Sequence, residues 1–149
     1  MSLSPKLLDL LIRLRERQRD DQARNTQRAS SAHRQAVRTA DSLAQFEAEQ
    51  FERRRRPGTR EFGVQSLRID QGFHRKLGEA RRLQDEVLKT SEASAESELA
   101  ALMIEQRRLA ALETLLSNRE RAARLRSLRD EQRDLDEHNA RVAANKPQD

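Results

Sequence analysis

Three histidines, His33, His74 and His138, lie far apart in the chain, and none has metal-ligand spacing to a partner set. Asp134 and His138 are four residues apart, which on a helix makes an exposed ion pair, whereas a zinc site needs three or four ligands. Cysteine is absent, so disulfides, thiolate metal sites and a cysteine nucleophile are excluded. Neither a GxxxxGK nor a GxGxxG loop is present to cradle phosphate. A Ser/His/Asp triad needs a rigid scaffold with an oxyanion hole, and solvated carboxylates keep ordinary acidity. These residues point to a protein that is not an enzyme, with no catalytic, metal or cofactor site and no small-molecule substrate. The one sharp charge block is Arg53-Arg54-Arg55-Arg56 with Arg60. Its plain reading is a solvated face; its functional reading is contact with nucleic acid or acidic lipid. Nucleic acid is disfavoured because no Tyr or Trp is available to stack on bases and no leucine zipper follows the block.

The elements that carry these residues follow from composition. Leu, Ile, Val and Phe fill only 31 of 149 positions, while 37% of the chain is charged and 3% aromatic. So little apolar surface cannot offset the entropy of ordering a compact globule of this length. Ala, Leu, Arg, Glu and Gln dominate, and β-branched residues are scarce, which favours helix and nearly excludes sheet. The densest apolar segment, Leu7 to Ile12, is six residues long and contains Asp9, too short for a membrane span and a poor signal sequence. The expectation is a cytoplasmic protein, with a net charge of +5 that favours anionic partners.

Glycine and proline punctuate the chain. Ser4-Pro5 reads as an N-cap followed by proline at the first helical position, and no further Gly or Pro occurs until Pro57-Gly58. Helix 1 is therefore expected over about 5–56, a tip loop over about 57–63, and helix 2 over about 64–145 with a possible break near Gly72–Gly78. Residues 146–149 are expected to fray. The expected fold class is all-α: one coiled-coil domain over 1–149, in which two long helices form an antiparallel hairpin, with Gly72–Gly78 as the place where it can bend. Leu7, Leu11 and Leu14 step by four and three, as do Ala29, Ala32 and Ala36, then Leu43 and Phe46. In helix 2, Leu102, Leu109, Leu112, Leu116 and Ala123 share one heptad frame, and Leu128, Leu135 and Val142 a shifted one. Closure near residue 59 would place Leu7 opposite Leu112 and leave 117–146 overhanging. A bend at Gly72–Gly78 would instead bring Leu14 near Leu135. The apolar residues of Leu7 to Leu14 occupy most of the helix circumference, so they form either a frayed end or a surface for another protein.

Several segments resemble a known family. Arg108-Leu109-Ala110-Ala111-Leu112-Glu113-Thr114-Leu115-Leu116 is followed by Glu131-Gln132-Arg133-Asp134-Leu135-Asp136-Glu137. This resembles the flagellar export protein family FliJ and its YscO-type injectisome counterparts, as does the Leu-rich start. Phe73, Leu77, Ala80 and Gln84 form a stripe with steps of four, three and four, which by spacing alone is a core stripe of the hairpin. In FliJ relatives a similar stripe, ending in His where this chain has Gln84, contacts the cytoplasmic linker of the export-gate protein FlhA.

The resemblance implies a non-enzymatic stalk without cofactor. It would bind within the hexameric export ATPase (FliI-like), promote its assembly and activity, link it to the gate and escort export chaperones. The implied location is cytoplasmic, peripherally associated with the membrane export apparatus. On this reading the expected ATPase-ring contacts are Leu7, Leu11, Leu14, Arg13, Arg17 and Arg24, with Arg133, Leu135 and Asp136. The alternative is a basic scaffold or nucleic-acid-binding coil using Arg53, Arg54, Arg55, Arg56 and Arg60.

Overall fold

The computed structural model describes residues 3–55 and 63–147. Two helices account for nearly all of them: α1, Pro5–Arg55, and α2, Val64–Ala144. They contact each other as an all-α helical hairpin, with no strand among the described residues. Local chemistry sets the helix ends. The Ser4 hydroxyl accepts a hydrogen bond from the Leu7 amide at 3.2 Å, and the Ser4 carbonyl accepts from the Leu8 amide at 3.0 Å. Pro5 occupies the first helical position, where a missing N–H costs nothing. Arg53, Arg54 and Arg55 fill the last turn of α1, where cations favour the helix C-terminus. Gly63 precedes α2, and its carbonyl accepts from the Ser66 amide and the Ser66 hydroxyl. The rest of the expected tip loop, with Arg56 and Arg60, lies outside the described residues.

The chain divides into two compact units: Met1–Arg17 with Gln106–Asp149, and Gln18–Glu105. In the first unit Leu8, Ile12 and Leu109 form a buried cluster, with Leu112 and Leu116 packed against it. Leu8 is fully buried, whereas Leu7 and Leu14 are exposed and Leu11 is half-buried. The seam thus runs one residue out of phase with the expected Leu7–Leu11–Leu14 stripe. Partner choice sits close to the first of the two expected registers, and the Leu14–Leu135 pairing is not adopted. Arg119 Nη1 donates to the Leu3 carbonyl at 2.6 Å, and every described residue from Glu120 to Pro147 is exposed. Ala123 is among them, because α1 starts opposite Arg119 and does not reach it.

In the second unit the less exposed positions of α1 include Gln22, Thr26, Ala29, His33, Ala36, Ala40, Leu43, Glu47 and Gln50, each three or four residues from the next, with Arg19, Ala23 and Ser30 beside them. This is a heptad seam built mainly from small and polar residues. Ala36 and Leu77 are its two buried apolar residues among those described. Ala32 and Phe46, both expected in the seam, are exposed, although the Phe46 ring still meets Phe73 edge-on with centroids 6.0 Å apart.

The possible break at Gly72–Gly78 does not occur: α2 is unbroken through both. Pairing along the second unit supplies what glycine's low helix propensity withholds. A Cβ added at Gly72 or Gly78 would meet nothing within 4 Å. Gly72→Ala and Gly78→Ala are therefore each expected to raise stability by about 0.5–1 kcal/mol. Urea unfolding followed by circular dichroism checks this; a loss of stability in either variant would contradict the helical assignment.

Candidate functional site

Several polar groups in the second unit join its two helices. Gln22 Nε2 donates to the Glu98 carbonyl at 3.1 Å and also to the Glu98 carboxylate. Thr26 Oγ1 lies 3.0 Å from the same carbonyl and 2.9 Å from its own Gln22 carbonyl. His33 Nδ1 meets Ser91 Oγ at 3.3 Å, and Gln84 Nε2 donates to the Ala36 carbonyl at 2.9 Å. Arg81 pairs with Glu47 at 2.8 Å, and Asp70 pairs with Arg54 and lies 3.8 Å from His74 Nε2. The three histidines are thus separated: His33 and His74 face α-helical partners, and His138 is exposed beside an exposed Asp134. Among the described residues no group of three His, Asp or Glu side chains is placed to hold a metal.

The expected gate stripe divides between seam and surface. Leu77 is buried, and Gln84 is half-buried and bonded to the opposite helix. Phe73 is 40% exposed and Ala80 is exposed. Phe73 lines an open groove with Phe46, Gln50, Ser66, Ile69 and Asp70, and Ile69 is 74% exposed. A binding partner can reach Phe73 and Ala80, but Leu77 and Gln84 hold the hairpin.

In the first unit the structure shows a second stripe on α1. Leu7, Leu10 and Leu14 step by three and four, Leu3 lies just ahead of the helix, and all four are exposed. Leu8 and Ile12 on the adjacent face are covered by α2. Sequence reasoning placed Leu7 and Leu14 in the seam because the Leu-rich run fits two heptad frames. Leu3 and Leu10 complete the exposed frame. Arg13 and Arg17 border it, with Arg13 paired to Asp9 at 3.1 Å. Arg133, Leu135 and Asp136 are exposed on α2, and Leu135 is 16 residues past Arg119, about 24 Å along the helix. They are not brought against Leu7–Leu14. Arg24, 3.5 Å from Asp21, belongs to the second unit.

Of the basic block, Arg54 bonds Asp70, and Arg55 lies 4.0 Å from Glu52 and 5.8 Å from the Phe51 ring centroid. Part of this charge is therefore paired at the end of α1.

Residues 5–148 match the family model described as Flagellar FliJ protein. The chain belongs to the FliJ family. No curated protein and no solved structure matches it. The family is a non-catalytic component of flagellar export and acts in association with other parts of the export apparatus. No helix of the described residues is long and apolar enough to cross a membrane.

The division of the Phe73–Gln84 stripe between seam and surface sets different costs for substitution at its positions. Leu77→Ala is expected to lower stability by about 2 kcal/mol or more, because it removes one of few buried aliphatics and leaves a cavity. Ala80→Gln is expected to change stability by less than about 0.5 kcal/mol, as an exposed helical substitution. Denaturant unfolding of the two variants measures the contrast; equal effects would contradict the placement of this stripe.

Proposed function

We propose that this FliJ-family chain is the central stalk of a flagellar export apparatus. It binds within the ring of the export ATPase, promotes ring assembly and turnover, and links the ring to the export gate and to substrate chaperones. The observation that carries this reading is the exposed Leu3–Leu7–Leu10–Leu14 stripe beside the covered Leu8–Ile12 face. A two-helix unit that leaves three leucines of one helix, and Leu3 just ahead of it, in water has a second apolar surface available to another protein. Arg13 and Arg17 on its border, with Arg133 and Asp136 on the uncovered part of α2, supply charge that suits a polar ring interior. Each exposed ion pair contributes about 0–1 kcal/mol and is screened by salt, so the contact is reversible and compatible with turnover.

The gate link uses the part of the Phe73 stripe that remains accessible. Phe73 and Ala80 are offered to the gate linker, with Leu77 and Gln84 holding the helix that presents them. No nucleotide-binding loop is present in the sequence, so the chain acts on turnover through the ring's own sites.

The test is stimulation of the cognate export ATPase. The wild-type chain is expected to raise turnover at low salt, with the effect declining as salt rises. A variant carrying Leu7→Ser, Leu10→Ser and Leu14→Ser is expected to lose at least about fivefold of the stimulation, corresponding to roughly 1 kcal/mol of contact free energy. Its circular dichroism should stay helical, because none of the three side chains is buried. Unchanged stimulation by this variant, or no stimulation by the wild type at any stoichiometry, would contradict the proposal.

A further inference from the structure

Beyond Arg119 the first unit contains a single helix. Leu125, Leu128, Leu135 and Val142 lie on it, each at least 50% exposed. With Gln132 and Asn139 between them, these positions step by three and four, a heptad stripe. It does not continue the stripe that α1 covers. The frame of Leu109, Leu112, Leu116 and Arg119 runs on through Ala123, Arg126 and Asp130. The apolar stripe falls alternately one and two residues behind that frame, a rotation of about 150° around the helix axis. The side of α2 that is apolar here is therefore not the side to which α1 binds.

Charge is sorted along the same segment. Residues 119–129 contain five Arg and one Glu, and residues 130–137 contain five carboxylates and one Arg. A basic stretch followed by an acidic stretch is complementary to itself when two copies run in opposite directions, and repels itself when they run in the same direction. We propose that α2 residues 120–144 pair with the same segment of a second copy of this chain, as an antiparallel two-helix dimer.

Charge also selects the register. Placing Leu125 opposite Val142 and Gln132 opposite Leu135 brings Arg129 beside Asp136 of the other copy, twice by symmetry, and Glu131 beside His138. Sliding one copy by a heptad toward its own basic stretch sets Arg129 against Arg129 and Glu131 against Glu131. In the favoured register the helix end at Ala144 stops opposite Ala123. That is short of Arg119, which holds the Leu3 carbonyl at 2.6 Å, so the second copy adds without displacing α1. Asp136 accepts from Gln132 Nε2 at 3.0 Å, an exposed bond that a cross-chain arginine replaces. A segment covered in this way is closed to other partners, so the dimer is a state of the chain outside any larger assembly. The proposal does not rest on the ATPase reading.

The experiment is sedimentation equilibrium of the full chain alone, at low and high salt. The wild type is expected to show a monomer–dimer equilibrium that weakens as salt rises. Arg129→Asp and Asp136→Arg are each expected to weaken it by about tenfold or more. Mixing the two variants should restore association, because both flanking pairs then carry opposite charges. Both sites are exposed, so circular dichroism should report unchanged helix in each variant. A chain that stays monomeric to about millimolar concentration at low salt would overturn the proposal. So would single variants that associate like the wild type, or a mixture no stronger than either variant alone.

Discussion

A side-chain amide reaching the backbone of the opposite helix is the interaction on which the second unit depends. Gln84 reaches the Ala36 carbonyl, and Gln22 and Thr26 converge on the Glu98 carbonyl. A helical carbonyl already accepts one bond within its own helix, and its second lone pair is reachable only where the neighbouring helix comes close. Ala29, Ala36 and Ala40 on one side, and Ala95 on the other, have side chains short enough to allow that approach. Each such bond contributes about 0.5–1.5 kcal/mol net. Its greater effect is on register, since sliding one helix by a turn would leave half-buried amides without partners. Few apolar residues thus suffice to align two long helices, although they could not stabilise a globule.

The first unit is organised by the opposite means. Leu8, Ile12 and Leu109 form an apolar cluster, and the surplus leucines of α1 remain in water. One unit is aligned by polar bonds across its seam; the other is joined by an apolar cluster with further leucines of α1 exposed beside it.

Much of the fold was legible in the sequence, because Gly and Pro act locally. Ser4-Pro5 starts α1 as read, and the Gly/Pro-free stretch after Gly78 is helix as far as Ala144. The phase of the first turns was not legible. Six of the eight residues from Leu7 to Leu14 are apolar, so two frames fit, and only the structure shows that Leu8 and Ile12 are the covered ones. The polar seam was also hidden, since Gln22, Thr26, His33 and Gln84 have the composition of an exposed face. Their role depends on a partner 48 to 76 residues away in the chain, a carbonyl for Gln22, Thr26 and Gln84 and the Ser91 hydroxyl for His33. Gly72 and Gly78 suggested a break because propensity is local, whereas pairing across the second unit is not. Spacing groups Phe73, Leu77, Ala80 and Gln84 as one stripe, but does not give its division into Leu77 and Gln84 inside and Phe73 and Ala80 outside.

The central claim is that polar bonds fix a particular antiparallel register, and the absence of native cysteine makes it directly testable. His33 and Ser91 are in contact across the seam, with Nδ1 and Oγ 3.3 Å apart. Glu98 lies one heptad further along the same helix, about 10 Å away. His33→Cys with Ser91→Cys should form an intramolecular disulfide readily under mild oxidation, whereas His33→Cys with Glu98→Cys should remain reduced. Efficient closure of the second pair, or equal closure of both, would contradict the account.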